Sequence, residues 1–424
     1  MVREPVDTAP LPTPVVVGSL ILPGSELERA KDPLAEISDL CEAVGANVVG
    51  GVYQKRATPQ ARTAFGKGKV EEIANLCQEH NAELFVVDLD LKPSQGKNLE
   101  EILGVRVLDR SELILDIFAT RARTRQAKLQ VELAQLEYLK TRLLRMWTHL
   151  ERTGGGIGTR GPGETQLETD RRLISKRISD LKRKLKEIEG RSQRQASSRE
   201  DILSFSLVGY TNAGKSTIMR QLTRTDVYVA DQIFATLDTK VRRWEMENGR
   251  AVTLADTVGF VRDLPHHLVA SFHATLEETL QADFLLHVCD AADPDLGIHI
   301  RAVRHVLETL EAQEIPSLLV FNKSDCLNEE ERLLLEKEWP EAIFVSAVAK
   351  HGLSLLEKRV TEILDQWSVE VTIFVSAGDG RLIAEVRQAA TILNEDWVGD
   401  EWKASIQLLP RHWNLLKGRV RSFS

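Results

Sequence analysis

The sequence predicts an α/β protein: a P-loop domain with a doubly wound parallel sheet, preceded by a small α/β domain and a long antiparallel helical hairpin, and followed by a small α+β tail. Three observations predict it. Gly209-Tyr210-Thr211-Asn212-Ala213-Gly214-Lys215-Ser216-Thr217 fits G-x-x-x-x-G-K-[ST], between the apolar run Ser204 to Val208 and a helical stretch from Lys215 to Thr223. Short apolar runs alternate with helix-period stretches before and after it, as in parallel-sheet domains. Between residues 121 and 189, leucines and isoleucines recur at steps of three, four and seven, the seam of paired helices.

In chain order, residues 1–12 are polar and proline-rich, expected as a disordered lead-in without the apolar core of a signal peptide. Val15 to Leu22, Ala46 to Val52, Leu84 to Asp88 and Val105 to Leu108 read as strands. Asp32 to Val44, Val70 to His80 and Asn98 to Leu103 read as helices. Together they predict an α/β domain over 13–118. Gly66-Lys67-Gly68-Lys69 lacks the gap of a phosphate loop. It reads as a solvated turn, or as lysines and glycine amides that touch phosphate.

Residues 119–196 predict the hairpin. Leu129, Leu133, Leu136, Leu143 and Leu150 mark one helix; Ile174, Ile178, Leu181, Leu185 and Ile188 mark the other. A helix of about 28 residues spans roughly 40 Å, so the hairpin should project. Seven Lys/Arg face two acids between 121 and 150, and ten face five between 166 and 196. In a chain of net charge −8 this local excess is a footprint for a polyanion, Arg142, Arg145 and Lys182 among the candidates. The tip, 154–163, is glycine-rich and carries Arg160, suiting it to lie closely against RNA. Ser192 to Ser198 reads as a linker.

Residues 197–366 predict the GTPase domain. The loop at Gly209–Thr217 would aim backbone N–H groups at a polyphosphate, with Lys215 on the outer phosphates and the Ser216 hydroxyl on Mg²⁺. Asn322-Lys323-Ser324-Asp325 follows the apolar run Ser317 to Phe321, at a strand end. The Asp325 carboxylate can accept from guanine N1–H and the exocyclic amine; adenine lacks that pair of donors. Asn322 would brace the loop, and the Lys323 stem would lie along the base. Ser346-Ala347, after Ile343-Phe344-Val345, resembles the loop whose N–H meets guanine O6. Asp256, in Asp256-Thr257-Val258-Gly259, would bind Mg²⁺ through water, and the Gly259 N–H would sense the γ-phosphate. Phe234-Ala235-Thr236-Leu237 supplies Thr236 to the Mg²⁺ shell, with Thr239 a near neighbour. Two loops held by the γ-phosphate and released on hydrolysis make a switch. Phe260 stands where many such GTPases place a water-orienting glutamine, so hydrolysis by the isolated protein should be slow. Asn212 either binds K⁺ beside the phosphates or caps the loop. The expected catalytic set is Asn212, Lys215, Thr236 and Gly259, and the metal set Ser216, Thr236 and Asp256.

The tail, 367–424, reads as a strand from Val369 to Ser376, an amphipathic helix from Gly380 to Leu393 and a strand from Ala404 to Leu409. Trp397, Trp402 and Trp413 suggest docking of a partner or of another part of the chain.

Four motifs together resemble the HflX family, bacterial and organellar GTPases related to the Obg group. They are Gly-Tyr-Thr-Asn-Ala-Gly-Lys-Ser-Thr at 209–217, Phe-Ala-Thr-Leu-Asp at 234–238, Asp-Thr-Val-Gly-Phe-Val-Arg-Asp-Leu-Pro-His at 256–266, and Gly-Gly-Gly-Ile-Gly-Thr-Arg-Gly-Pro-Gly-Glu at 154–164. The resemblance covers about residues 13–366. It implies binding to the large ribosomal subunit and its rRNA through 121–196, splitting or rescue of ribosomes, and GTP hydrolysis stimulated there. It also allows a second nucleotide, ATP, at the N-terminal domain. A regulatory switch acting on a protein effector and an ATP-driven RNA-remodelling enzyme are the alternatives.

Composition bounds the rest. The 424 residues are 42% hydrophobic and 28% charged, as in globular proteins, and suggest two to four domains. No apolar run nears the ~18 residues that span a bilayer, so little or no membrane association is expected. Cys41, Cys77, Cys289 and Cys326 lack C-x-x-C spacing, which fits a reducing cytoplasm and no zinc site. A monomer with no DNA partner is expected.

Overall fold

The computed structural model describes residues 12–150, 162–196, 203–224, 234, 240–263, 280–408 and 410–423. Outside the described residues lie most of the lead-in, the tip as far as 161, the end of the proposed linker, the loop carrying Thr236 and residues 264–279.

The first sheet is parallel, in the order β2-β1-β3-β4: Pro14–Ile21 (β1), Asn47–Lys55 (β2), Leu84–Val87 (β3) and Arg106–Asp109 (β4). Helices Ala35–Ala43 (α1), Lys67–Glu79 (α2) and Pro93–Leu103 (α3) connect its strands. Val15, Val16 and Val17 are all buried, as expected of a strand covered on both faces. The lysines of Gly66–Lys69 are not a solvated turn: Gly66 precedes α2, and Lys67 to Lys69 form its first turn. A further helix, Arg110–Arg121 (α4), follows β4 directly, with the Asp109 side chain capping it by accepting from the Glu112 N–H.

The hairpin consists of Arg125–Leu150 (α5) and Pro162–Ala196 (α6). The second helix runs through Ala196, so most of the expected linker is helical. Leu133, Ile178, Leu181 and Leu185 form the buried seam, with Leu129, Leu136 and Ile174 packed on it. The near end of α5 does not project, because Ala127, Val131, Ala134 and Tyr138 belong to the N-terminal core. Here the structure also corrects the expected charge pattern. Arg142 bonds Asp109 at 2.6 Å and Glu112 at 3.3 Å, so it fastens the hairpin to the first domain instead of facing solvent. Across the hairpin Arg177 pairs with Glu132 and Lys182 with Glu137, at 2.6 and 2.8 Å. These pairs are largely exposed and worth at most ~1 kcal/mol each. Arg123, Arg125, Lys128, Lys176 and Lys186 are exposed.

The second sheet, in the order β10-β9-β8-β5-β7-β6, comprises Ser204–Gly209 (β5), Lys240–Glu245 (β6), Ala251–Asp256 (β7), Phe284–Asp290 (β8), Ser317–Asn322 (β9) and Ile343–Phe344 (β10). It is parallel except for the edge strand β6, which pairs antiparallel with β7. Among the described residues, Lys215–Thr223 (α7), Leu296–Thr309 (α8), Glu329–Glu338 (α9) and Leu353–Gln366 (α10) are helices between and after its strands.

The tail is an antiparallel sheet, β12-β13-β11-β14, of Val369–Ser376 (β11), Thr391–Val398 (β12), Glu401–Leu408 (β13) and Arg421–Phe423 (β14). Its helices are Gly380–Ala389 (α11) and Pro410–Leu416 (α12). The expected amphipathic helix therefore stops four residues early, and Leu393 lies in a strand. Trp402 is wholly buried in this core and donates to Glu395, which removes it as a docking residue; Trp397 is exposed. Arg250, in the β6–β7 turn, joins the sheets by bonding Asp365, Gln407 and Thr391. Among the described residues no helix is long and apolar enough to cross a membrane.

Candidate nucleotide site

The P-loop leaves β5 and enters α7. Asn212 (φ 58°) and Gly214 (φ 91°) take left-handed backbone, which turns the loop back on itself. At Gly214 a Cβ would also lie 2.1 Å from Asn322 Nδ2, so only glycine fits. The Lys215 ammonium is buried and donates to the carbonyls of Gly209 (3.0 Å) and Tyr210 (2.7 Å). Burial pushes its pKa down to about 8, with Asp256 opposing. The Ser216 hydroxyl donates to Asp256 Oδ2 at 2.6 Å. Thr217 is half-buried in the first turn of α7, and Thr257 donates to the Leu207 carbonyl.

Asn322, at the end of β9, spans two loops. Its amide donates to the Ala213 carbonyl at 2.9 Å, and its oxygen accepts the Ala347 N–H at 3.0 Å. The bracing expected of this residue therefore reaches the P-loop as well as the 346–347 loop. Lys323 (φ 59°) turns the chain, and its ammonium meets Asp290 at 2.7 Å. Asp325 is exposed in a short 3₁₀ turn, and the Ser346 hydroxyl accepts from the Ala349 N–H.

The segment after β7 lies on the P-loop. Thr211 N–H donates to the Phe260 carbonyl at 2.8 Å, and Phe260 N–H donates to the Gly209 carbonyl at 3.1 Å. This brings Gly259 over Thr211 and Lys215. Phe260 is 1% exposed and turned into a core shared with the N-terminal domain. Phe234 also leaves the expected nucleotide set: its ring is 2% exposed and meets Phe118 edge-on at 4.7 Å. An apolar ring gains more from that core than from a polyphosphate surface.

Sequence reasoning missed the polar cluster beneath this segment. Arg110 bonds Asp88, Glu36 (2.6 Å) and the Arg262 carbonyl (2.7 Å). The Arg262 guanidinium bonds Asp88 at 2.8 Å and Glu36 at 3.2 Å, and the Arg262 backbone N–H donates to Tyr210 Oη at 2.8 Å. The Tyr210 ring stacks on His299 with centroids 3.8 Å apart. Burial and Glu36 push the Tyr210 hydroxyl well above its ordinary pKa. Nothing local in the sequence pairs residues 36, 88, 110 and 262. The only available signal was Arg262 within the motif at 256–266.

Family profiles match in chain order. One described as GTP-binding GTPase N-terminal covers residues 31–119, one described as GTP-binding GTPase Middle Region covers 121–199, and one described as 50S ribosome-binding GTPase covers 204–323. The chain is 45% identical over 385 residues to the GTPase HflX of Escherichia coli K12, covering 90% of both. It belongs to the HflX family of GTPases. The family's protein from Alkalihalophilus pseudofirmus is 42% identical, over 87% of this chain and 86% of that relative. Among solved structures, a GTP-binding protein from Sulfolobus solfataricus in complex with GDP is 24% identical, with a TM-score of 0.41, covering 82% of this chain and 98% of that one. As a family member the chain is a GTP-binding, GTP-hydrolysing enzyme.

Proposed function

We propose that this GTPase acts on the large ribosomal subunit, binding rRNA through its hairpin and promoting splitting or rescue of ribosomes in the cytoplasm as a monomer. The observation that carries the reading is a long helix pair, rich in exposed Lys and Arg, fastened to the first domain of a chain that also carries a GTPase domain. The profile description, 50S ribosome-binding GTPase, and the HflX relatives support it. We divide the chain at 1–12, 13–118, 119–196, 197–366 and 367–424.

In the proposed chemistry water attacks the γ-phosphate. The N–H groups of residues 212–216 cradle the phosphates at the N-terminus of α7, with Tyr210, Thr211 and Thr217 completing the loop. Lys215 turns from its loop carbonyls to the outer phosphates, where their charge restores its ordinary basicity. Asp325 reads guanine, Lys323 lies along the base, and Ala347 beside Ser346 offers its N–H to O6. The Ser216–Asp256 pair, one hydroxyl and one carboxylate at 2.6 Å, is a donor set suited to Mg²⁺, which also takes phosphate oxygens and water. Bound there, Mg²⁺ would neutralise charge on the β- and γ-phosphates. Thr236 is assigned to the same shell, and the Asn212 amide to K⁺. Gly259 supplies an N–H to the γ-phosphate. Phe260 cannot orient water, so activity should be slow until the ribosome supplies what is missing. We assign no ATP to the strand ends of the first domain, where Asp88 and Asp109 gather around arginines.

The test is GTP turnover in K⁺ buffer with and without purified 50S subunits. A rise of ten-fold or more is expected. It should vanish when Lys128, Lys176 and Lys186 are changed to Glu. An unchanged slow rate would sink the ribosomal reading and leave a switch that acts on another partner.

A further inference from the structure

A cavity of about 270 Å³ lies between the N-terminal and GTPase domains. One wall is the P-loop at 210–213, a second is the turn after β8 with the start of α8, and a third comes from residues between 30 and 39, including the start of α1. Gly214, Lys215, Ser216, Asp256 and Asn322 do not line it, so it is separate from the positions assigned to the phosphates and Mg²⁺. Its volume is many times the ~10–15 Å³ that one water needs.

The walls are acidic. Asp32 and Asp39 line it from the first domain, Asp293 and Asp295 from the second. The cations among them are already engaged: Arg262 by Asp88 and Glu36, and His299 by Asp293 at 3.1 Å. Asp32 and Asp295 each accept one backbone N–H, from Leu34 and Lys31. The charges acting on Asp39 are carboxylates, and burial together with Glu42, Glu36 and Asp293 pushes its carboxyl up. A second, independent observation lies deeper. His287, from β8, lines the same cavity and is 3% exposed, yet its Nε2 has no hydrogen-bond partner among the described residues. Burial, with Arg304 and Lys215 nearby, pushes its pKa down to about 3, so the ring is neutral. With its hydrogen on Nδ1, such a ring presents Nε2 as an acceptor. A buried polar atom of this kind calls for a partner.

We propose that this cavity is a binding site for an aliphatic polyamine. The carboxylates repel an anion. They do not suit a metal ion either, since among the described residues no three His, Cys, Asp or Glu side chains converge as a metal's ligands must. Acceptors spread over two walls call for several donors on one flexible chain. One ammonium donates to His287 Nε2, and another pairs with Asp39 and the carboxylates facing it, as charge-assisted bonds. The methylenes between them lie on Val288, Leu296 and Ile298, which also line the cavity. Because both domains supply walls, the bound chain bridges them. The GTP and ribosomal readings can fail without affecting this one.

The test is calorimetric titration of the full chain with spermidine at fixed ionic strength. One site per chain is expected, with a dissociation constant on the order of 0.1 mM. Asp39→Asn and His287→Leu should each weaken it about ten-fold, the loss of one charge-assisted contact. Glu330→Gln, which removes an exposed carboxylate on α9, should leave it within about two-fold. Heat no greater than that from KCl at matched ionic strength overturns the proposal. So does equal weakening by Glu330→Gln, which would mark general counterion attraction, or full affinity in both cavity variants. Binding of Nα-acetyl-lysine amide as tight as that of spermidine also overturns it, and would assign the cavity to a partner's side chain. Should His287→Leu not fold, Asp39→Asn alone decides.

Discussion

Replacing Asn322 by alanine removes two hydrogen bonds at once, to the Ala213 carbonyl at 2.9 Å and from the Ala347 N–H at 3.0 Å. Both partner residues are 1% exposed and Asn322 itself is 3% exposed, so neither orphaned group reaches bulk water. A buried backbone group left unpaired costs about 1–3 kcal/mol, giving about 2–6 kcal/mol for the pair. Some of this destabilises the fold. The rest appears in nucleotide binding, because the P-loop and the guanine loop are no longer held at a fixed spacing. We expect GDP affinity to fall 10- to 100-fold, about 1.4–2.8 kcal/mol, and the urea midpoint to fall as well. Equilibrium titration with fluorescent GDP and urea unfolding of the same preparation measure the two shares. If GDP affinity stays within two-fold while stability drops, Asn322 serves the fold alone and the bracing argument is wrong.

Two further outcomes follow from the same geometry. Burial opposes charge on Glu36, but Arg110 and Arg262 hold its carboxyl below the ordinary 4.5. A depressed carboxylate stabilises above its unfolded value, and that contribution disappears as pH falls through the folded one. The urea midpoint should therefore drop below about pH 4.5, and drop less steeply in Glu36→Gln; equal slopes would place the acid sensitivity elsewhere. Asp325→Asn should weaken GDP by about 100-fold, from two lost charge-assisted bonds of about 1.5–3 kcal/mol each less what the amide recovers, and should favour xanthosine diphosphate. Equal weakening of both nucleotides would remove Asp325 from base recognition.

What the sequence revealed was local. The run 209–217 encodes its loop in nine consecutive residues, and α7 begins and ends where its pattern does. Asn322 was legible as a brace because its strand and turn are contiguous; that it also grips Ala213, 109 residues away, was not. The cluster of Glu36, Asp88, Arg110 and Arg262 was illegible because its pairs are up to 226 residues apart and each member alone reads as a surface charge. Phe234 was misplaced because its neighbours match a mobile-loop motif, whereas its ring follows the apolar core. The first three residues of β12, Thr391 to Leu393, were read as helix because they follow an amphipathic stretch without a glycine or proline to end it.

Asp109 and Arg110 are consecutive, yet they face different parts of the molecule. Asp109 holds Tyr138 and Arg142 at the root of the hairpin, and Arg110 holds the segment that covers the P-loop. One peptide unit thus joins the two. Beyond Arg142, α5 runs eight residues further, to Leu150, about 12 Å at ~1.5 Å each. A rotation of ~10° about that peptide would carry the end of α5 through roughly 2 Å on that arm length. Motion over the P-loop and motion at the end of α5 would then share one ångström scale.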